Sequence, residues 1–254
     1  MTSKINYEIG GSGPRLVLLH PVGLDLTFLR PVAEILRKDF TVLTPDQRGH
    51  GKSAAAAPDA SLETYADDLH GLLTGLKFTP AAVGGFSFGG MVTQAFALKY
   101  PTATSAVIIC ACSSKQSPQG HATARARGDD ARRDGIQAVL EVTLDRWFTP
   151  QFRTAGKDAP ATQKLLADDV EGWARAWYAM GDNDALPRLP SIRVPTLCIA
   201  GELDKSAPPP IVKTIADAIP GARYEIVAGA PHMLFIEQPE ATARLICNFL
   251  KDVV

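Results

Sequence analysis

Ser87 stands in the run Gly85-Phe86-Ser87-Phe88-Gly89, a pattern by which a chain can turn an ordinary hydroxyl into a nucleophile. A turn tight enough to present the serine crowds its neighbours, so Gly85 and Gly89, with Gly90 next to them, fall where side chains would clash. The hydroxyl also needs a general base, and the base needs a third group to hold it. In the chain order serine, acid, histidine, each partner sits in a loop at the carboxyl end of a strand. Asp204 and His232 meet that requirement, with Asp182, Asp184 and Asp217 as reserve acids. The rival reading makes Asp204 a turn or helix-capping aspartate and His232 a hydrogen-bonded loop histidine.

The elements that must position these groups follow from pattern. Residues 81–84 read as a short buried strand and 91–99 as a helix, which leaves Ser87 on the turn between them. That helix aims its first amides and its positive dipole end at the site, and the Phe88 N–H suits a developing oxyanion. Residues 15–19 form another strand, and the loop after it, His20-Pro21-Val22-Gly23-Leu24-Asp25, should supply a second donor. Proline has no N–H, which removes Pro21, and Val22 is the choice. His20 reads as a structural histidine of this loop, because His232 already fills the base position. Residues 193–200 are an apolar run ending just before Asp204, and 222–227 alternate and lead to His232. A last helix is expected over 239–253.

Elsewhere, residues 4–9 resemble an edge strand, and Gly10-Gly11-Ser12-Gly13-Pro14 a hairpin turn into residues 15–19. Helices are expected over 28–38 and 62–76, and strands over 40–44 and 106–110. Such alternation implies right-handed crossovers and a parallel sheet covered on both faces. It stops at Ser113. From there to about Leu189 no strand signal occurs, 135–147 and 161–180 look helical, and 125–130 is highly charged. We therefore expect a core made of residues 1–112 and 190–254, with 113–189 a helical insertion forming a cap above the carboxyl ends of the strands, over Ser87.

The chain has 254 residues, enough for a substantial core without disulfides. A formal net charge of −1 gives no basic footprint for nucleic acid. Cysteines 110, 112, 198 and 247 are spread over predicted strands and a helix and read as reduced core residues. No apolar run reaches membrane-spanning length and the first residues show no secretion signal, so we expect a cytoplasmic protein with no membrane partner.

Taken together, the serine turn, the order of its partners and Asp46-Gln47-Arg48-Gly49-His50-Gly51-Lys52-Ser53 resemble the alpha/beta-hydrolase superfamily, over residues 4–112 and 190–254. Residues 46–53 match a scaffold turn of that family. His20-Pro21-Val22-Gly23-Leu24-Asp25, Trp147-Phe148-Thr149-Pro150 with Phe152, and residues 178–186 are most similar to 3-oxoadipate enol-lactonases and related carboxylesterases. The resemblance implies an α/β class fold with a mostly parallel eight-stranded sheet flanked by helices. It further implies a triad of Ser87, His232 and Asp204 that cleaves a small carboxylic ester or lactone through an acyl-enzyme, without a cofactor. Phe88 departs from the methionine that many relatives carry, but its amide does the work.

For the substrate, Arg125, Arg127, Arg132 and Arg133 cluster early in the insertion, and one turned inward could pair with a substrate carboxylate. The alternative is a solvated helix face balanced by Asp129, Asp130 and Asp134. Trp147, Trp173, Trp177 and Tyr178 could line an apolar pocket or pack the insertion onto the core. Arg133, Trp147 and Trp177 are the substrate-binding candidates. Gly51-Lys52-Ser53 resembles the end of a phosphate-binding loop, but Asp46 stands where that motif requires glycine. The histidines and cysteines offer no metal-ligand spacing, and no metal is expected. Cofactor-free perhydrolases and carbon–carbon bond hydrolases use the same triad, and a ligand-binding signalling protein could keep the fold with negligible turnover.

Overall fold

In the computed structural model, residues 4–253 are described. The strands are β1 (Tyr7–Gly10), β2 (Arg15–Leu19), β3 (Thr41–Pro45), β4 (Ala81–Phe86), β5 (Thr104–Cys110), β6 (Thr196–Gly201) and β7 (Arg223–Val227). They form one sheet in the order β1-β3-β2-β4-β5-β6-β7, with only β1 antiparallel to its neighbour. The central strands β4 and β6 are buried at every position, which requires layers on both faces of the sheet. Those layers include α1 (Arg30–Leu36), α2 (Leu62–Gly75) and α3 (Phe88–Lys99).

Two expectations change. The sheet has seven strands among the described residues, not the eight that the resemblance implies. The chain carries seven strand signals, and residues 4–6 before β1 are not in a strand. The glycine-rich turn at residues 10–14 also makes no hairpin, because β3 lies between β1 and β2. β2 hands the chain through α1 to β3 on one side, and the chain then crosses back to β4 on the other. The order reverses around β2, so the loops leaving β2 and β4 emerge side by side at the carboxyl edge, with Leu19 opposite Gly85.

Between β5 and β6 come α4 (Pro118–Asp134), α5 (Gln137–Trp147), α6 (Pro150–Thr154), α7 (Ala159–Leu166) and α8 (Val170–Gly181). Sequence pattern gave no bounds for α4, only a possible solvated helix face around its arginines, because its apolar stripe consists of the small residues Ala124, Gly128 and Ala131. These let α8 approach closely: a Cβ on Gly128 would lie 2.5 Å from the Tyr178 ring. The expected helix over 161–180 is two helices, α7 and α8, with Asp169 capping the second by accepting from the Glu171 amide. The chain closes with α9 (Pro209–Ala218), α10 (Leu234–Glu237) and α11 (Pro239–Lys251). Among the described residues no helix is long and apolar enough to cross a membrane. All four cysteines are free thiols, three of them buried.

Candidate active site

Ser87 joins β4 to α3 with φ +54° and ψ −115°, a backbone conformation strained for any L side chain. What holds it there is contact on either side. The Ser87 amide donates to the Cys110 carbonyl of β5, and a Cβ on Gly85 would sit 2.2 Å from the Gly89 oxygen. On Gly89 it would sit 2.5 Å from the Leu19 oxygen, so α3 can start against β2 only with glycine there. We expect Gly89→Ala to destabilise the fold by about 1–3 kcal/mol, read as a lower urea midpoint with an unchanged slope.

His232 lies in the loop after β7, with Nε2 2.9 Å from Ser87 Oγ and Nδ1 2.8 Å from Asp204 Oδ2. An ionised carboxylate only accepts, so Nδ1 carries the hydrogen and Nε2 of the neutral ring is left to accept from the serine hydroxyl. Asp204, in the loop after β6, accepts with its other oxygen from the Ser206 and Ala207 amides at 2.6 and 2.9 Å. Burial pushes its pKa upward, but His232 and the two amides outweigh that, and the net shift is below the usual carboxylate range. The Asp204 side chain is fully buried and that of His232 is 4% exposed, whereas Ser87 is half-buried.

The loop after β2 is fixed from below. The His20 ring is buried, its Nε2 accepting from the Gln47 amide at 2.9 Å and its Nδ1 donating to the Pro21 carbonyl at 2.7 Å. Both ring nitrogens are therefore used within the scaffold, and burial holds the pKa of His20 well below its ordinary value. Gln47 Nε2 returns a bond to the His20 carbonyl, and Asp46 accepts from the Leu26 amide. These contacts hold Val22 on the wall of the Ser87 cavity. Phe88 is the first residue of α3, so its amide has no partner within the helix. Its ring is fully buried, edge-on to Tyr65.

The cavity over Ser87 has a volume of about 510 Å³ and is walled by α4, α5 and α8 of the helical insertion as well as by the core loops. Trp147 and Trp177 line it. Trp173 does not: it is fully buried beside Trp177 and bonds to the Arg127 carbonyl. Tyr178 packs instead among the guanidinium groups of Arg125 and Arg132.

Arg133 is not a pocket residue. Its side chain is 65% exposed and pairs with Asp130 and Asp134, six residues and so about 240° around α4 from the arginine that does face the cavity. That one is Arg127, joined on the lining by Arg146 and Lys115. The reserve acids lie in other ion pairs: Asp182 with Arg125, Asp184 with Lys115, and Asp217 with Lys213.

The end of α5 is tied to both loops that carry the partners of Ser87. Arg146 Nη2 donates to the Lys205 carbonyl beside Asp204, and the Met233 amide donates to the Trp147 carbonyl. Two residues further on, the Thr149 amide and hydroxyl bond to the carboxylate of Glu237 at 2.7 and 2.8 Å. Among the described residues no group of histidine, cysteine, aspartate and glutamate side chains could hold a metal ion.

Such a strand–serine–helix turn at the reversal point of a parallel sheet defines an alpha/beta-hydrolase architecture. The sequence profile of the alpha/beta hydrolase family matches residues 16–245, and the chain belongs to that family. It is 29% identical over 251 residues to 3-oxoadipate enol-lactonase 2 of Acinetobacter baylyi, covering 93% of this chain and 89% of that protein. The enol-lactonase from Burkholderia xenovorans LB400 superposes with a TM-score of 0.92 at 32% identity, covering 98% of this chain and 97% of that one. A thermophilic esterase from Thermogutta terrifontis, solved with malate bound, gives a TM-score of 0.93 at 30% identity, covering 99% and 94%.

Proposed function

We propose that this protein is a serine hydrolase that cleaves a small carboxylic ester or lactone through an acyl-enzyme. The observation that carries the reading is the unbroken hydrogen-bonded line from Asp204 through His232 to Ser87, opening into a cavity large enough for a small molecule. Ser87 Oγ attacks the carbonyl carbon as His232 Nε2 takes its proton, and the carbonyl π electrons move onto oxygen. The Val22 and Phe88 amides donate to that oxyanion, each worth about 10²- to 10³-fold in turnover. Collapse expels the alkoxide, which His232 protonates, and water then repeats the sequence to free the acid and Ser87. Residues 113–189 act as the cap that shapes the acyl pocket, with residues 1–112 and 190–254 as the catalytic core.

Likeness to enol-lactonases and to an esterase supports both substrate types. With a lactone the leaving alcohol remains tethered to the acyl group, and its high effective concentration favours reclosure. Water must therefore reach the acyl-enzyme faster than the ring reforms. The test is labelling with a fluorophosphonate, followed by peptide mass spectrometry. Stoichiometric modification of Ser87, blocked by prior incubation with a hydrolysed ester or lactone, is the expected result. Labelling elsewhere, or an unlabelled protein that turns over no ester or lactone in a broad panel although its Ser87 reacts with the probe, would overturn the reading. In the second case, peroxide-dependent halogenation and diketone cleavage would test the same triad for other chemistry.

A further inference from the structure

The two amides that would meet the oxyanion belong to different elements: Val22 lies in the loop after β2, and Phe88 begins α3. Their separation must be held by something other than the chain between them. One side chain touches the supports of both. The His50 ring lies 5.2 Å, centroid to centroid, from the ring of His20, and 5.9 Å from that of Phe88, inclined to it by 30°. No step of the mechanism uses His50, which sits in the turn of residues 46–53.

Each neighbour of that ring is joined to a donor. His20 Nδ1 holds the Pro21 carbonyl, which belongs to the same peptide unit as the Val22 N–H. In a trans peptide the two point opposite ways, so the His20 ring aims the Val22 amide. The Phe88 ring, set between His50 and the edge of Tyr65, fixes the first turn of α3 and with it the Phe88 amide. His50 itself is fastened on several sides. Its amide donates to the Gln47 carbonyl at 3.0 Å, its carbonyl accepts from the Ser53 amide at 3.1 Å, and Nδ1 of its buried ring donates to the Arg48 carbonyl at 3.1 Å. The helical insertion presses on the same turn, since a Cβ on Gly172 would lie 2.0 Å from the Gly49 oxygen. It presses on the Val22 loop as well: a Cβ on Gly23 would lie 2.6 Å from Leu165 and 2.7 Å from Trp173. Burial outweighs the opposing pull of the Asp168 carboxylate and holds the His50 pKa below its ordinary value, so at neutral pH the ring packs uncharged.

We propose that His50 is a positioning residue for the oxyanion hole, its ring the spacer that keeps the Val22 and Phe88 amides at the separation one oxygen atom needs. The inference rests on the hydrolase reading above and adds to it a residue that never touches substrate. Without the spacer, the His20 ring and the first turn of α3 settle towards each other and the donors lose their aim. Ser87, His232 and the walls of the cavity stay where they are. The defect therefore falls on the transition state, where charge reaches the oxygen, and spares ground-state binding.

The test measures kcat and KM for p-nitrophenyl acetate, counted per Ser87 titrated with a fluorophosphonate so that misfolded protein drops out. Beside it runs inhibition by phenylboronic acid, whose tetrahedral adduct with Ser87 sets an oxygen before the two amides. His50→Ala should lower kcat by about 10- to 100-fold, less than the loss of a whole donor, with KM changed by less than about twofold. Boronate affinity should fall by a similar factor. His50→Phe keeps a ring against both neighbours and should recover most of the loss. His50→Asn keeps a donor for the Arg48 carbonyl but no ring, and should behave like His50→Ala. Wild-type kcat and boronate affinity in His50→Ala, whatever its urea midpoint, would overturn the proposal, as would recovery by asparagine and not by phenylalanine. A wild type inert to both ester and fluorophosphonate fails the hydrolase reading and this one with it, whereas an active wild type matched by His50→Ala fails this one alone.

Discussion

Replacing Ser87 with alanine is expected to lower turnover of a p-nitrophenyl ester by about 10⁵- to 10⁶-fold while leaving the fold intact. The size follows from the geometry: the hydroxyl 2.9 Å from His232 Nε2 is the only group in that line able to form the acyl bond, so its loss disables His232 and Asp204 as well. The residual rate is whatever binding and the oxyanion donors can do with water. The fold should survive because alanine inherits the φ of +54° and adds no new clash. Ser87→Gly relieves the strain of that backbone and should be more stable than Ser87→Ala, by about 1 kcal/mol. Thermal unfolding of the two variants beside their ester kinetics would check both statements, and equal turnover in wild type and Ser87→Ala would end the serine mechanism.

Asp204→Asn is expected to reduce turnover by about 10⁴-fold with little change in shape. Asp204 Oδ2 accepts from His232 Nδ1, and Oδ1 accepts from two amides. An asparagine keeps its one carbonyl oxygen for those amides and turns its NH₂ toward the imidazole. His232 Nδ1 must then accept, the hydrogen moves to Nε2, and the ring faces Ser87 as a donor unable to take the hydroxyl proton. The variant also loses the negative charge that stabilises the protonated imidazole. Stability should respond to pH with the opposite bias. Because the folded pKa of Asp204 is depressed, its stabilising contribution is complete above the unfolded value of about 3.9 and is lost as pH falls further through the folded pKa. Asp204→Asn should therefore unfold with a weaker dependence on acid below about pH 4, measured by urea titration. An unchanged turnover would show that another group orients His232.

The site was legible where chemistry forces a residue type into a fixed place in the chain. The glycines around Ser87 are dictated by backbone approaches under 3 Å, and such constraints leave a mark in sequence. Asp204 and His232 could be found because each follows a stretch that reads as a strand, an apolar run before Asp204 and an alternating one before His232. The parts that were not legible depend on rotation about an axis or on pairing at a distance. Arg127 and Arg133 differ only in which face of α4 they occupy, and α4 itself was hidden by a buried stripe of alanine and glycine. Arg146 and Lys115 gave no local signal, since their positions depend on how the insertion folds back over the sheet. A regular spacing of small residues at 124, 128 and 131 was the clue available. β3 intervening between β1 and β2 is a matter of topology that no turn motif could report.

The stitching of residues 146–149 to the segments around 205 and 233–237 limits how the enzyme can breathe. If the helices between β5 and β6 swung away as a hinged door, they would drag Asp204 and His232 out of line. Ser113, Lys115, Gln116, Ser117 and Ile211 line both the cavity and a neighbouring recess of about 280 Å³, which leaves a way in that requires no such swing. A chimera that transplants these helices from a relative must also bring the acceptors for those stitches, or it will inherit a new pocket and a slack engine.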